Sequence, residues 1–229
     1  MNVFDCGTHR AVLFDLDGTL VDTAPDMVSA LQDLQQRHGF EPLEYAYGRS
    51  SVSNGAMGLL RIGFPDLSEE QRQSLICEYI ELYSARLAHK SMLFDGIDAL
   101  LDKLDDGNCP WGVVTNKPTH LTEPLLEQLD VARRCVCIIS GDTLEQRKPH
   151  PAPLLHACEL AGIAPAKSIY VGDAARDIEA GRAAGMGTIA AGYGYITAED
   201  SPASWGADMT VSDTQELAQI VLKAVNLEL

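Results

Sequence analysis

The sequence is short of basic residues, of long apolar runs and of paired cysteines, and each shortage removes a class of function. Its 17 Lys and Arg stand against 33 Asp and Glu, a formal net charge of −16. Nucleic acid and anionic membrane surfaces select for clustered Lys and Arg, so neither is expected as a partner. No uninterrupted apolar stretch reaches the roughly 18 residues of a membrane span, and Met1–Arg10 carries Asp5 and Gly7 where a leader would need an apolar run. The expectation is a cytoplasmic protein, monomeric or homodimeric, with no membrane partner. The six cysteines (Cys6, Cys77, Cys109, Cys135, Cys137 and Cys158) contain no C-x-x-C. Cys135 and Cys137, two apart in an apolar run, would share one face of a strand, which reads as buried thiols rather than a metal or redox pair. No internal repeat or low-complexity segment is present.

What the sequence does hold is an ordinary globular composition. Of its 229 residues, 46% are hydrophobic and 22% charged, enough for one large domain or two small ones with a substantial core. From residue 94 onward short β-branched runs alternate with helical stretches. The runs are Trp111 to Val114, Val136 to Ile139, Ser168 to Val171, Thr188 to Ala191 and Asp208 to Val211, and such alternation predicts an α/β fold with a parallel sheet covered on both faces. One further strand, Ala11 to Phe14, stands alone near the start. Residues 23–93 differ, with helix signals and almost no strand signal. Thr23 with Asp26 predicts a capping box, with Pro25 in the first turn of a helix running to Gly39. Asn54 is expected to cap a second helix toward Ile62, and Ser68 with Gln71 a third, longer one. The division expected is therefore residues 1–22 and 94–229 as an α/β core and 23–93 as an all-helical insertion. Phe94-Asp95-Gly96 marks the return to the core.

The chemistry-bearing residues fall at strand ends. Phe14-Asp15-Leu16-Asp17-Gly18-Thr19 closes the first strand with two carboxylates two residues apart, a costly pairing unless a cation or a reaction uses it. In an open α/β sheet ligands bind beyond the carboxyl ends of the strands. Thr115, in Val114-Thr115-Asn116-Lys117, puts a hydroxyl at a second strand end. Lys148-Pro149 supplies a cation from a loop, and Gly172-Asp173-Ala174-Ala175-Arg176-Asp177 adds two more carboxylates. Each is an ordinary turn or cap when taken singly, but their order along one sheet is not ordinary. Arg176 itself reads as a solvated residue at a helix start.

In these motifs the chain resembles the haloacid dehalogenase-like phosphohydrolases, over about residues 10 to 223. The helical insertion after the first motif is similar to the small cap of the phosphoglycolate phosphatase-like group. The stretches Trp111 to Pro118, Tyr193 to Ile196 and Ser204 to Asp208 resemble the bacterial N-acetylmuramic acid 6-phosphate phosphatases of peptidoglycan recycling. The resemblance implies a Rossmann-like core and hydrolysis of a small phosphorylated metabolite. Asp15, ionised at neutral pH, can attack phosphorus to give an aspartyl-phosphate. The resemblance implies Mg²⁺, a hard cation suited to oxygen donors, held by Asp15, the backbone carbonyl of Asp17 and Asp173. Thr115 and Lys148 would bind the phosphate, with backbone N–H groups around Leu16 and Asn116. Asp177 would hold Lys148 or a metal-held water in place. Asp17 would protonate the leaving alkoxide and then take a proton from the hydrolytic water. Ala174-Ala175 departs from the Ser or Thr often found in that motif, at the cost of a minor hydrogen bond.

Substrate choice is expected from the insertion. Tyr47 to Gly55 reads as a polar loop leaning over the site, with Ser53 and Asn54 as specificity residues. Arg49 reads either as a partner for a substrate carboxylate or as part of a surface loop. Tyr195 and Trp205 read as packing residues or as sugar contacts. Hinges are expected near Asp22–Ala24 and Leu93–Gly96. Besides a phosphatase acting on N-acetylmuramate 6-phosphate or 2-phosphoglycolate, the core motifs fit a phosphosugar mutase. A signalling receiver domain also uses an acidic cluster, a Thr and a Lys, but is about half this length and has no acid two residues after its phosphorylated Asp.

Overall fold

The structure, a computed structural model, describes residues 4, 7–197 and 199–228; Cys6, and Asp5 in the first ten residues, lie outside the described residues. The strands β1 (Ala11–Phe14), β4 (Trp111–Val114), β5 (Ile138–Ile139), β6 (Ser168–Gly172), β7 (Gly187–Ala191) and β8 (Met209–Val211) form one sheet in the order β5-β4-β1-β6-β7-β8. Every ladder in it is parallel. The strands β1, β4, β6 and β7 are buried at every residue, as continuous apolar runs must be when helices cover both faces. Side chains alternate across the sheet: Val12 and Phe14 enter the larger core, while Leu13 joins Val114, Ile139 and Tyr170 in a second cluster on the other face. The helices α5 (Ile97–Asp106) and α9 (Thr214–Val225) pack together, as do α7 (Ala152–Ala161) and α8 (Ala175–Ala184); α6 (Thr119–Gln128) follows β4. Among the described residues no helix is long and apolar enough to cross a membrane.

Between β1 and α5 the chain forms the two-residue strands β2 (Val21–Asp22) and β3 (Met92–Leu93), paired antiparallel. The stretch they bracket is helical: α1 (Ala24–Arg37), α2 (Tyr45–Ser50), α3 (Gly55–Gly63) and α4 (Glu69–Ser84). At α4 the capping box forms as expected, with the Gln71 N–H donating to Ser68 Oγ at 3.2 Å and the Ser68 N–H to Gln71 Oε1 at 2.8 Å.

The other caps differ from expectation. Thr23 precedes α1 without a side-chain cap because its backbone is already in the helical region (φ −91°, ψ −8°) rather than the extended one a capping residue adopts; its hydroxyl donates to Asp17 at 2.6 Å. Asp26 instead accepts from the backbone of Lys90 and Ser91, tying α1 to the return strand. Asn54 precedes α3 without a side-chain bond. The expected loop from Tyr47 to Gly55 is α2 and a 3₁₀ turn, Val52–Asn54. Only Ile138–Ile139 of the Val136–Ile139 run is strand, so Cys135 and Cys137 lie just before it; burial pushes their thiols up to about 11 and about 12 respectively.

Candidate active site

The sheet order explains why the motif residues meet. Strand β1 lies between β4 and β6, and Phe14 is in register with Val113 on one side and Val171 on the other. Asp15, Thr115 and Asp173 therefore leave the sheet at the same carboxyl edge, at the point where chain order reverses. One carboxylate oxygen from each of Asp15, Asp173 and Asp177 lies within 4.8 Å of the others, and all three residues are buried.

Lys148 is set into this cluster. Its amine reaches Asp15 Oδ1 at 2.9 Å, Asp177 Oδ1 at 2.6 Å and the Tyr170 hydroxyl at 2.7 Å, which uses the three protons an ammonium has. Tyr170 passes its own proton to the Val114 carbonyl at 2.8 Å. The Lys148 loop is clamped by Asn116, whose side chain donates to the Lys148 carbonyl at 2.9 Å and accepts from its N–H at 3.1 Å. The Asn116 side chain is thus spent on positioning Lys148. The Leu16 N–H, expected as a phosphate donor, meets Asp15 Oδ1 at 2.7 Å. Thr115 accepts from the Lys117 N–H at 3.2 Å and keeps its hydroxyl proton for another acceptor.

Asp173 sits against bare backbone. A side chain at Gly18, where φ is +83°, would come within 2.0 Å of Asp173 Oδ2, so only glycine fits this turn. Oδ2 accepts from the Ser53 hydroxyl at 2.6 Å and the Tyr195 N–H at 2.9 Å. Oδ1 is buried without a hydrogen-bond partner. Burial, with the charges of Asp15 and Asp177 added, raises the Asp173 carboxyl to about 8; burial also raises Asp177, against the pull of Lys148. An anionic cluster with an orphaned buried oxygen suits a divalent cation, which would supply the missing partner and the missing charge.

Asp17 is held separately. Lys117 reaches its two oxygens at 3.0 and 3.2 Å and also donates to the Tyr83 hydroxyl at 2.8 Å, with the Tyr83 ring centroid 4.6 Å from the amine. The sequence alone assigns Lys117 no role. Its only local signal is a position directly after Thr115-Asn116. Arg176 also differs from expectation: it donates to the Ser53 carbonyl at 2.7 Å and lines the cavity, bridging core to insertion rather than facing solvent.

The insertion closes a cavity of about 1050 Å³ over these groups. Its walls include Asp15, Asp17, Thr115 and Lys148 from the core and Ile62, Ile76, Tyr79 and Tyr83 from the insertion. Ser53 and Asn54 line it, but Arg49 does not. The Arg49 guanidinium pairs with Asp22 at 2.5 Å and lies 4.9 Å from the Tyr195 ring centre, so it fastens α2 to the neck formed by the paired strands β2 and β3 instead of waiting for a substrate carboxylate. Tyr195 is likewise a neck residue, donating to Asp22 at 2.8 Å and accepting from the Ala24 N–H at 2.9 Å. Trp205 bonds Asp200 at 2.8 Å, and neither aromatic lines the cavity.

This arrangement is that of a haloacid dehalogenase-like hydrolase: residues 12–191 match that family, and the chain belongs to it. Two groups of relatives sharpen the class. The chain is 44% identical over 208 residues to a phosphoglycolate phosphatase of Xanthomonas campestris, covering 91% of this chain and 94% of the relative. It is 41% identical over 217 residues to an N-acetylmuramic acid 6-phosphate phosphatase of Pseudomonas putida, covering 94% and 97%. Among solved structures, a predicted phosphoglycolate phosphatase from Haemophilus somnus superposes with a TM-score of 0.83 at 26% identity, covering 93% of this chain and 98% of that one. The protein is a phosphatase of the phosphoglycolate phosphatase-like kind.

Proposed function

We propose that the protein is a Mg²⁺-dependent phosphatase whose substrate is a phosphorylated sugar acid, with N-acetylmuramate 6-phosphate the best candidate. The size and lining of the cavity carry this choice. Small-molecule sites run to roughly 300–1000 Å³, and a space of about 1050 Å³ with an apolar wall on the insertion side far exceeds what a two-carbon phosphoglycolate fills. The 44% identity to a phosphoglycolate phosphatase supports the smaller substrate as the competing reading. The cytoplasmic location and the division into a core of 1–22 and 94–229 and an insertion of 23–93 belong to this proposal. Buried free thiols such as Cys109, Cys137 and Cys158 suit a reducing compartment.

The chain's own groups divide the reaction. Lys148 and the Leu16 N–H both contact the Asp15 carboxylate at Oδ1. Oδ2 is then the oxygen that attacks phosphorus, forming the aspartyl-phosphate as the ester P–O bond breaks. Asp17 gives its proton to the departing alkoxide oxygen. A water then attacks phosphorus, Asp17 takes its proton, and inorganic phosphate leaves with the Asp15 carboxylate restored. Lys148, its three protons already matched, acts as a fixed charge beside the nucleophile, and the Thr115 hydroxyl donates to a phosphate oxygen. Asp177, whose Oδ1 holds Lys148 and whose Oδ2 accepts from the Ala174 N–H at 3.0 Å, positions the lysine. Asp15 and Asp173, with the Asp17 carbonyl, would hold Mg²⁺, which when bound offsets the repulsion between the carboxylates and the phosphate dianion.

Catalytic efficiency on N-acetylmuramate 6-phosphate against 2-phosphoglycolate tests the substrate. A preference for the sugar acid of tenfold or more, about 1.4 kcal/mol of differential transition-state binding, is expected. An equal preference for phosphoglycolate would reverse the assignment.

A further inference from the structure

Two lysines serve three carboxylates at this site, and only Lys148 stands beside the nucleophile. Lys148 stands on Asp15 and Asp177, whereas Lys117 stands on Asp17. The Lys117 side chain is 4% exposed, which is far from where a four-carbon ammonium stem settles when water is available. It is held there by partners from both halves of the molecule: both oxygens of Asp17 from the core, and the hydroxyl and ring of Tyr83 from α4 of the insertion. Tyr83 is itself buried, stacked near Tyr79 with ring centroids 6.5 Å apart. Asp17 thus meets the insertion twice: at its first residue, where the Thr23 hydroxyl donates to Oδ1 at 2.6 Å, and at α4, which it reaches through Lys117.

We propose that Lys117, seated by Tyr83, is a positioning residue that fixes the Asp17 carboxylate at the leaving-group oxygen, so that the acid–base group is correctly placed only when the insertion is seated on the core. This rests on the reading of Asp17 as the acid–base residue. The coupling has a physical purpose: an open site with a well-placed base would admit water with nothing to hydrolyse, while closure both excludes stray water and completes the constellation. A lysine that only bound phosphate would have no need of a tyrosine on the insertion.

The test compares kcat/KM, which reports the first phosphoryl transfer, on N-acetylmuramate 6-phosphate (or 2-phosphoglycolate, whichever is turned over better) and on 4-nitrophenyl phosphate. The nitrophenolate leaves without needing a proton, whereas the alkoxide needs one. K117M is expected to lose at least about tenfold more on the alkyl ester than on the aryl ester, a modest share of what acid–base catalysis contributes. Y83F, which keeps the ring and its volume, is expected to show the same pattern with a smaller factor. In a D17N background the K117M factor on the alkyl ester should shrink to about threefold or less, because the two substitutions remove one function. Equal losses on both esters, or full multiplicative loss in the double variant, would overturn the proposal and make Lys117 a phosphate-binding charge. Should K117M fail to fold, Y83F decides: no selective loss on the alkyl ester overturns it. If D17N itself loses equally on both esters, the acid–base reading of Asp17 falls first, and the inference falls with it.

Discussion

The two walls of the cavity are built on opposite plans. On the core side nearly every polar atom is matched to another: Lys148 has three acceptors, Asn116 clamps its loop, and Gly18 and Gly194 bring bare backbone against Asp173. On the insertion side the wall is largely apolar, from Ile62, Ile76 and Ile80, with Ser53, Asn54 and Arg61 as polar interruptions, and a few bonds carry it to the core. Among these are Thr23 to Asp17, Ser53 to Asp173, Arg176 to the Ser53 carbonyl, and Tyr83 through Lys117 to Asp17. On the function proposed above, the core would hold phosphate and cation before any substrate arrives, and the insertion could vary its wall without disturbing that machinery. Selection and reaction would then be separated in space and joined by these few side chains.

The largest effect expected is on the core side. Asp15→Asn removes the nucleophile and should lower kcat by roughly 10³-fold or more in a steady-state assay, while circular dichroism shows the fold retained. Retention of activity would break the comparison at its root, because the reaction would no longer belong to the core. Next comes Asp173→Asn. The substitution should remove activity by a similar factor and abolish the thermal stabilisation that added Mg²⁺ gives the wild type. In chelator at pH 9, above the value of about 8 to which burial and its neighbours raise the Asp173 carboxyl, the variant should nevertheless melt higher than wild type, because an amide in place of the orphaned Oδ1 can donate to Asp15 or Asp177 where an ionised third carboxylate only repels. A gain on the order of 1 kcal/mol corresponds to about 2–4 °C for a chain of this size. A lower melting temperature in chelator would show that the cluster is not under electrostatic strain.

How far the comparison was visible in the sequence follows from the same division. The core side was legible because parallel strands buried on both faces leave continuous β-branched runs, and because strand ends carry the reactive residues in a fixed order. Asp15, Thr115, Lys148, Asp173 and Asp177 meet through the register of β1 with β4 and β6, which the alternation of elements already implies. The seam was not legible. Lys117 and Asp17 are 100 residues apart and Lys117 and Tyr83 34 apart, and nothing local marks a buried lysine. Arg49 has the right charge for a substrate carboxylate, but Asp22 takes it. Thr23 satisfies the capping pattern in sequence, yet its backbone is helical (φ −91°, ψ −8°), and its hydroxyl is turned to Asp17, six residues back, at 2.6 Å. Strands of two residues, as at β2 and β3, are too short to show a period.

A seam prediction lies between these extremes. Ser53→Ala deletes the hydroxyl that bonds Asp173 but leaves the Ser53 carbonyl available to Arg176. Steady-state kinetics should show a several-fold loss in kcat/KM, far smaller than for Asp173→Asn, since Tyr195 still donates to Oδ2. A loss as large as that of Asp173→Asn would mean that the insertion supplies part of the reaction itself, and the separation of the two walls would not hold.

The smallest effect should come from within the insertion, remote from the seam. Ser68→Ala breaks the capping box at the start of α4, a loss of about 1 kcal/mol, or roughly 2–4 °C in melting temperature. Tyr83 lies near the other end of the same helix, some 22 Å away at 1.5 Å per residue. If the insertion acts on Asp17 only through where Tyr83 sits in the closed state, kcat should not change while the melting temperature falls. If instead kcat falls in step with stability, the closed state must already be marginal under assay conditions, and fraying at one end of α4 must be enough to unseat Tyr83 at the other. Thermal melting and initial rates on a single variant therefore separate an insertion that is a firm wall from one whose own stability sets the rate.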